Sequence, residues 1–300
     1  MSAVPYLGEI FALLAPICWS FAVILFRRTG ETVPPIALNL FKTVLALVLF
    51  TLTSLVFGQE FLLEGASRSD YLLLLASGAL GIGAADLFFF LTLNRVGAGL
   101  QAIINTSYSP AIIFLSYFLL GERLTSVQWI GVTLILSAVL TVGWMKGKKS
   151  RPVPRRTLWA GIAFGIGTSL TQGYSVVMIK PLLESTPLFW ANWWRIVGGL
   201  ISLLILAPLL PHRVRRLDRL FDRGVWKVMI PGSIMGTYIS LIVWLAGLKF
   251  AQASIAAALN QTSTLWTFLL AVLLLKEPIT WIRVIGLIVG VVGVGLVTFG

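Results

Sequence analysis

Residues 34–42, PPIALNLFK, and residues 187–195, PLFWANWWR, are two versions of one segment. Each opens on a proline (Pro34, Pro187), sets an asparagine five residues on (Asn39, Asn192) and a basic residue three after that (Lys42, Arg195), all at an offset of 153. Working outward, Asn105, Glu122, Thr125 and Gly131 recur as Asn260, Glu277, Thr280 and Gly286 at an offset of 155. The chain is therefore a duplication, each copy taking about half of its 300 residues.

Composition places the duplication in a membrane. Hydrophobic residues make up 58% and charged residues 11%, with a mean hydropathy of +0.94. That leaves too little polar surface to cover a water-soluble body. The apolar runs are long enough for a helix to cross about 30 Å of hydrocarbon. Ten are expected, near 8–26, 35–57, 71–93, 100–120, 127–145, 158–179, 188–210, 228–248, 255–275 and 281–299. The first lacks the basic start and small-residue cleavage site of a signal peptide and is read as a mature helix.

Five spans per copy is an odd number, so the second copy enters the membrane from the opposite side. The expected fold is an all-α membrane protein of ten transmembrane helices in two inverted five-helix repeats, residues 1–146 and 158–300, joined by a basic linker, 147–157. The basic residues orient it. With Lys42 and Arg195 inside spans, loops on the side of the termini carry 4 Lys/Arg and those on the other side carry 17. The positive-inside rule puts the heavy side in the cytoplasm, so both termini are expected outside an inner (plasma) membrane. The same rule accounts for the net charge of +12 without nucleic acid as a partner. The lipid bilayer and a small-molecule substrate are the partners expected, in a monomer or homodimer.

Several chemistries lack their residues. One cysteine, Cys18, permits no intramolecular disulfide, and one histidine, His212, in a basic loop gives no His/Cys metal centre. No phosphate-binding G-x-x-x-x-G-K-[ST] loop exists. A single acid deep within a span cannot assemble an acid/base enzyme site, and no span shows the polar stripe of a channel filter. No cofactor is implied, and the chain reads as no enzyme.

Segment 109–125, SPAIIFLSYFLLGERLT, ends a helix in Gly121, Glu122, Arg123, Leu124 and Thr125. With Trp19–Ser20 in the first span and a basic residue in the second span of each repeat, it resembles the drug/metabolite transporter superfamily, in its ten-helix EamA-type branch. The second copy of the motif is degraded to Lys276, Glu277, Pro278, Ile279 and Thr280. The resemblance covers nearly the whole chain and implies secondary transport of a small metabolite, often export. The aromatic amino-acid exporters of the superfamily are the branch it is taken to be similar to.

The candidate substrate-binding residues are polar or aromatic groups within the spans. Lys42 lies about 10 Å below the cytoplasmic face at 1.5 Å per residue, and Asp86 shares its depth. The pair reads either as a structural ion pair or as a gate or protonatable coupling site. Arg195 has Leu241 where Asp86 would repeat, so it either snorkels to the surface or holds a substrate carboxylate in its planar fork. Asn39, Asn105, Asn192 and Asn260 form matched pairs suited to interhelical bonds or cavity lining. Gln101, Gln172, Gln261 and Thr262 belong with them. Trp19, Tyr108, Tyr174, Tyr238 and Trp244 fall deep enough to stack on an apolar or aromatic substrate body, whereas Trp129, Trp159, Trp226 and Trp281 belong at the membrane interface. Glu122 and Glu277 are expected to be solvated or paired with a base. Glycines such as Gly161, Gly165, Gly232, Gly236, Gly286 and Gly290 suit close helix packing, a sliding interface or a dimer contact through the last helix. The expected substrate is amphipathic, with an apolar body and a charged end, and amino acids, aromatic ones included, fit it. The rival within the superfamily is a proton-coupled multidrug or cation exporter working through Asp86.

Overall fold

The computed structural model describes residues 5–30, 32–148, 154–209, 220, 223–263, 265–266, 269–270 and 281–300. No strand occurs among them. The first repeat comprises α1 (Leu7–Thr29), α2 (Pro35–Val56), α3 (Arg68–Gly78), a π-helical segment (Ala79–Ala84), α4 (Ala85–Asn105), α5 (Tyr108–Leu120) and α6 (Ser126–Lys148). The second comprises α7 (Arg155–Val177), a short α8 (Lys180–Ser185), α9 (Leu188–Leu209), α10 (Arg223–Ser233), a π-helical segment (Ile234–Ile239), α11 (Ser240–Phe250), α12 (Ala253–Asn260) and α13 (Trp281–Phe299). Five described helical stretches are long and apolar enough to cross a membrane, and Tyr108–Leu120, Ser126–Thr141 and Val284–Phe299 are shorter apolar helices. The ten expected spans are all represented, the ninth mainly by its first half.

Both chain ends lie on one face, here the terminal face. Tyr6 meets Phe299 edge-on with ring centroids 5.1 Å apart, and Thr125 Oγ1 donates to the Gly300 carbonyl. The packing is reciprocal between repeats. Helix α1 packs on α10 and α11, while α7 packs on α4. Gly8 abuts Ala251 and Gly161 abuts Val96; Gly247 abuts Ala12 and Gly165 abuts Thr92. Each second pair repeats the first at the offsets of 153 and 155. These glycines let helix backbones approach closely where hydrocarbon supplies no hydrophobic drive to association. Helix α13 turns Gly290 and Gly293 onto Ala138, Ile135 and Gly131 of α6, so this glycine face packs within the chain. Trp129, Trp159, Trp226 and Trp281 are all exposed.

The Gly-Glu-Arg-Leu-Thr motif turns out to be helix-terminating chemistry. Gly121 ends α5 in the left-handed conformation, φ 69°, which glycine adopts without a Cβ penalty. Thr125 and Gln128 form a reciprocal box at the start of α6, Gln128 N to Thr125 Oγ1 at 3.1 Å and Thr125 N to Gln128 Oε1 at 2.9 Å. Glu122 is half-buried and makes no salt bridge among the described residues. Its carboxylate accepts from Ala253 N, Ser254 N and Ser254 Oγ at 2.7–2.9 Å and so caps α12 in the other repeat. It satisfies amides that a helix start leaves free, at the positive end of the helix dipole. Glu277, Lys276 and Thr280 lie outside the described residues.

Two departures concern the third helix of each repeat. In place of a break near residues 94–99, helix α4 continues to Asn105, and the chain turns at Thr106–Ser107. The second repeat does break at the corresponding place, with Ala251 and Gln252 extended. Continuous intrahelical bonding leaves the first repeat no free amides there, whereas the second needs the Glu122 cap. The π-helical segments Ala79–Ala84 and Ile234–Ile239 fall 155 residues apart at both ends, a matched feature that hydrophobic periodicity does not reveal.

Candidate functional site

The π-helical segments bring Gly81 and Gly236 to a central cavity of about 100 Å³. Its lining is built from repeat-equivalent positions: Trp19 and Gln172, Lys42 and Arg195, Gly81 and Gly236, Ile82 and Thr237, Asp86 and Leu241, Phe89 and Trp244, Asn105 and Asn260, Tyr108 and Ser263. Sixteen of its nineteen lining residues form such pairs, so the cavity sits on the pseudo-two-fold axis. Short π-helical departures concentrate at functional sites because the widened turn re-aims side chains and frees backbone groups.

Helix α2 carries Lys42 and α4 carries Asp86, and the two meet with Nζ 2.5 Å from Oδ2. Lys42 is 2% exposed and Asp86 14% exposed, the carboxylate facing the cavity. Helix α9 carries Arg195, also 2% exposed, so it does not snorkel to a surface. Its Nε donates to Ser77 Oγ at 2.9 Å, and its Nη1 has no hydrogen-bond partner among the described residues. The salt bridges among those residues are Lys42–Asp86 and Lys180–Glu184. Thus Lys42 is neutralised in place and Arg195 is not. Two cations and one anion give the cavity a formal charge of about +1, in surroundings where charge is poorly screened.

Aromatic rings form the apolar part. Trp19 stands edge-on to Phe89 with centroids 6.0 Å apart, and Tyr108 is tilted against Trp244 at 6.3 Å. The hydroxyls of Tyr108 and Thr237 are buried without a partner among the described residues.

Eight of the twelve principal candidates thus meet in one place, Trp19, Lys42, Asp86, Asn105, Tyr108, Arg195, Trp244 and Asn260, joined by Gln172 and Gln261 of the four residues grouped with them. The other four of the twelve lie elsewhere. Asn39 donates its amide to the Ile82 carbonyl at 3.3 Å, behind the π-helical segment. Asn192 bonds back to Leu188 within α9. Tyr238 turns from the cavity to pack on Phe50 and bond with Thr53. Tyr174 is 43% exposed on α7. Asparagines in spans are satisfied by any nearby carbonyl, and periodicity could not choose between these ends. The lining residues Phe89, Thr237, Ser240 and Ser263 were not singled out in the sequence, although Phe89, Thr237 and Ser263 match Trp244, Ile82 and Tyr108 at the repeat offset.

Among the described residues, buried apolar packing differs between the two faces. Toward the terminal face one large buried apolar cluster joins both repeats, from Ala12, Leu74 and Ile112 to Val177, Leu248 and Ala256. Toward the opposite face the described buried residues divide into two smaller clusters, one around Phe26, Phe90 and Met229, the other around Ile36, Leu87 and Leu203.

A family model described as EamA-like transporter family matches residues 6–144 and again 159–299. An "uncharacterized transporter" of Archaeoglobus fulgidus is 22% identical over 280 residues, 93% of this chain and 94% of its own length. Protein PecM of Dickeya dadantii is 24% identical over 214 residues, 70% of this chain and 68% of its own. UDP-galactose translocator 1 of Caenorhabditis elegans is 24% identical over 169 residues, 51% of this chain and 46% of its own. A solved crystal structure at 15% identity superposes with a TM-score of 0.80 over 98% of this chain and 96% of that one, a likeness of fold.

Proposed function

Because this chain belongs to the EamA-like transporter family, and is therefore a multi-pass membrane transporter, we propose that it exports small amphipathic metabolites by alternating access, amino acids and aromatic amino acids first among them. One observation carries the reading: Arg195 is buried beside the axial cavity with no salt bridge to a carboxylate among the described residues, and its Nη1 has no hydrogen-bond partner among them. A planar guanidinium suits a carboxylate bidentately. Trp19, Phe89, Tyr108 and Trp244 supply faces and edges for an apolar or aromatic side chain. Asp86, paired with Lys42 and 14% exposed, adds a polar wall to the same space. Its engagement by Lys42 argues against a cation exporter that needs Asp86 free.

Sidedness follows from charge. The sequence assigns the linker between repeats and the other basic loops to the side away from the termini, and we read that side as cytoplasmic by the positive-inside rule. The terminal face, closed by the large apolar cluster, is then the outer one, and the cavity loads from the cytoplasm. The two inverted halves would rock about their shared axis to release substrate outside.

Purified protein in liposomes tests this. Labelled phenylalanine, a UDP-sugar and a lipophilic cation are each offered against the same unlabelled solute inside. Saturable counterflow of phenylalanine, lost in Arg195→Ala, is expected. Counterflow of the cation alone would reverse the reading in favour of multidrug export, and counterflow of the UDP-sugar alone would move it to nucleotide-sugar transport. Reporter fusions at both ends should report outside.

A further inference from the structure

The two matched cations are held in unlike ways, and the difference comes down to one hydroxyl. Lys42 meets a full countercharge, Asp86, from its own repeat. Arg195 meets Ser77, which belongs to the other repeat and is fully buried. Ser77 Oγ accepts from Arg195 Nε at 2.9 Å and donates to the Ser175 carbonyl at 2.6 Å. The carbonyl has no proton to give, so the hydroxyl proton points at Ser175 and a lone pair points at Nε.

The backbone around Ser77 is shaped for the same purpose. A methyl group on Gly78 would fall 1.8 Å from the carbonyl oxygen of Arg195. One on Gly81 would fall 2.3 Å from Ser175 Oγ and 3.4 Å from Arg195 Nη2. Helix α3 and the π-helical segment after it therefore form a slot through which the guanidinium reaches the cavity. No copy of the slot serves Lys42. The positions matching Ser77 and Ser175 are Gly232 and Ala22, and Gly236, which matches Gly81, packs on Ala22 and Phe26.

We propose that Ser77 is a positioning residue for substrate. It fixes Arg195 through a neutral acceptor that holds the guanidinium without cancelling its charge. With Nε occupied, the edge left to a ligand is the one bearing Nη1 and Nη2, which takes an oxyanion head-on. Specificity for an oxyanion end is then set jointly by Ser77 and by Leu241, the apolar residue standing where Asp86 would repeat. The proposal rests on the reading that Arg195 receives the acidic end of the substrate. A carboxylate and a phosphate share this chemistry, and the ligands tested separate them.

The test uses the full-length protein in liposomes with L-phenylalanine, its methyl ester and phenyl phosphate, in wild type, Ser77→Ala, Ser77→Thr and Ser77→Asp. Counterflow is expected for phenylalanine and not for the ester, and any counterflow of phenyl phosphate assigns the site to phosphate. Ser77→Ala should raise KM at least tenfold with Vmax within twofold. Ser77→Thr, which keeps the hydroxyl, should return KM to within threefold of wild type. Ser77→Asp, which supplies a countercharge, should abolish counterflow. A wild-type KM in Ser77→Ala or in Ser77→Asp overturns the proposal, as does a loss confined to Vmax. A second measurement needs no substrate. Phenylglyoxal modification of Arg195, mapped by mass spectrometry, should slow at least fivefold in Ser77→Asp and stay near wild type in Ser77→Thr. If the wild type carries none of the three solutes, the amino-acid reading fails while this labelling still decides the role of Ser77. Unchanged labelling in Ser77→Asp overturns it.

Discussion

Asp86→Asn should destabilise the folded protein far more than the loss of one hydrogen bond would suggest. The substitution leaves Lys42, 2% exposed, without its countercharge. Removing one member of a buried pair typically costs about 3–5 kcal/mol, because the orphaned charge keeps its full desolvation penalty. Asp86 is 14% exposed toward the cavity, so water reaches part of the pair and the lower end, about 3 kcal/mol, applies. That is roughly a hundredfold in the folding equilibrium. Lys42→Met should cost a similar amount by orphaning the carboxylate. The double variant Lys42→Met with Asp86→Leu replaces the pair by apolar groups and should fall within about 1 kcal/mol of wild type. The second repeat already sets Leu241 at the position of Asp86. A double-mutant cycle on SDS-induced unfolding, closed with the Asp86→Leu single variant beside Lys42→Met, measures the coupling. A coupling below about 1 kcal/mol would mean that the two charges are independently solvated, and the account of a neutralised Lys42 would fall with it.

Other substitutions separate site from scaffold. Leu241→Asp gives Arg195 a carboxylate neighbour and brings the cavity close to neutral, so uptake of an anionic substrate should fall at least tenfold while the protein remains monodisperse. Glu122→Ala removes the cap of α12 and should lower unfolding stability by about 1–2 kcal/mol, with Arg123→Ala as the unaffected neighbour. Gly78→Ala drives a methyl into the Arg195 backbone and should cost about 1–3 kcal/mol by overpacking, whereas Gly295→Ala, with nothing within 4 Å of the added carbon, should be silent in the same assay. Tyr174→Leu should leave substrate KM unchanged and Trp244→Leu should raise it, since only Trp244 lines the cavity.

The parts legible in the sequence were those that depend on one segment or on the repeat. Helix positions follow from apolar runs, and the common depth of Lys42 and Asp86 follows from counting residues along two spans. The absence of a carboxylate opposite Arg195 follows from the offset alone. What stayed hidden depends on contacts across the repeat boundary. Ser77 meets Arg195 118 residues away, and Glu122 meets Ser254 132 residues away. Neither has a local signature, since a serine in a span bonds equally well to its own helix, as Thr92 does to Phe88. The π-helical segments escaped for a related reason. A turn widened by one residue shifts the phase of a helix without changing its composition.

A transporter made by duplication faces two opposed demands. Alternating access between inverted halves works best when the halves can exchange conformations at little cost, which favours equal packing. Recognition of a solute with unlike ends requires an unequal pocket. This chain meets the two demands in different places. The glycine contacts that set helix spacing, Gly8 with Ala251 and Gly161 with Val96, are repeated, as are the two π-helical segments. Around the axis the side chains are unlike, with Gln172 in place of Trp19, Thr237 in place of Ile82 and Leu241 in place of Asp86. The last of these leaves Arg195 without a salt-bridge partner among the described residues, at the centre of a symmetric frame. A pocket on a two-fold axis lined by identical residues would accept a substrate in two opposite orientations. On the proposed amino-acid reading, Lys42 paired with Asp86 and Arg195 without a salt bridge among the described residues would define a single orientation, with the acidic end toward α9.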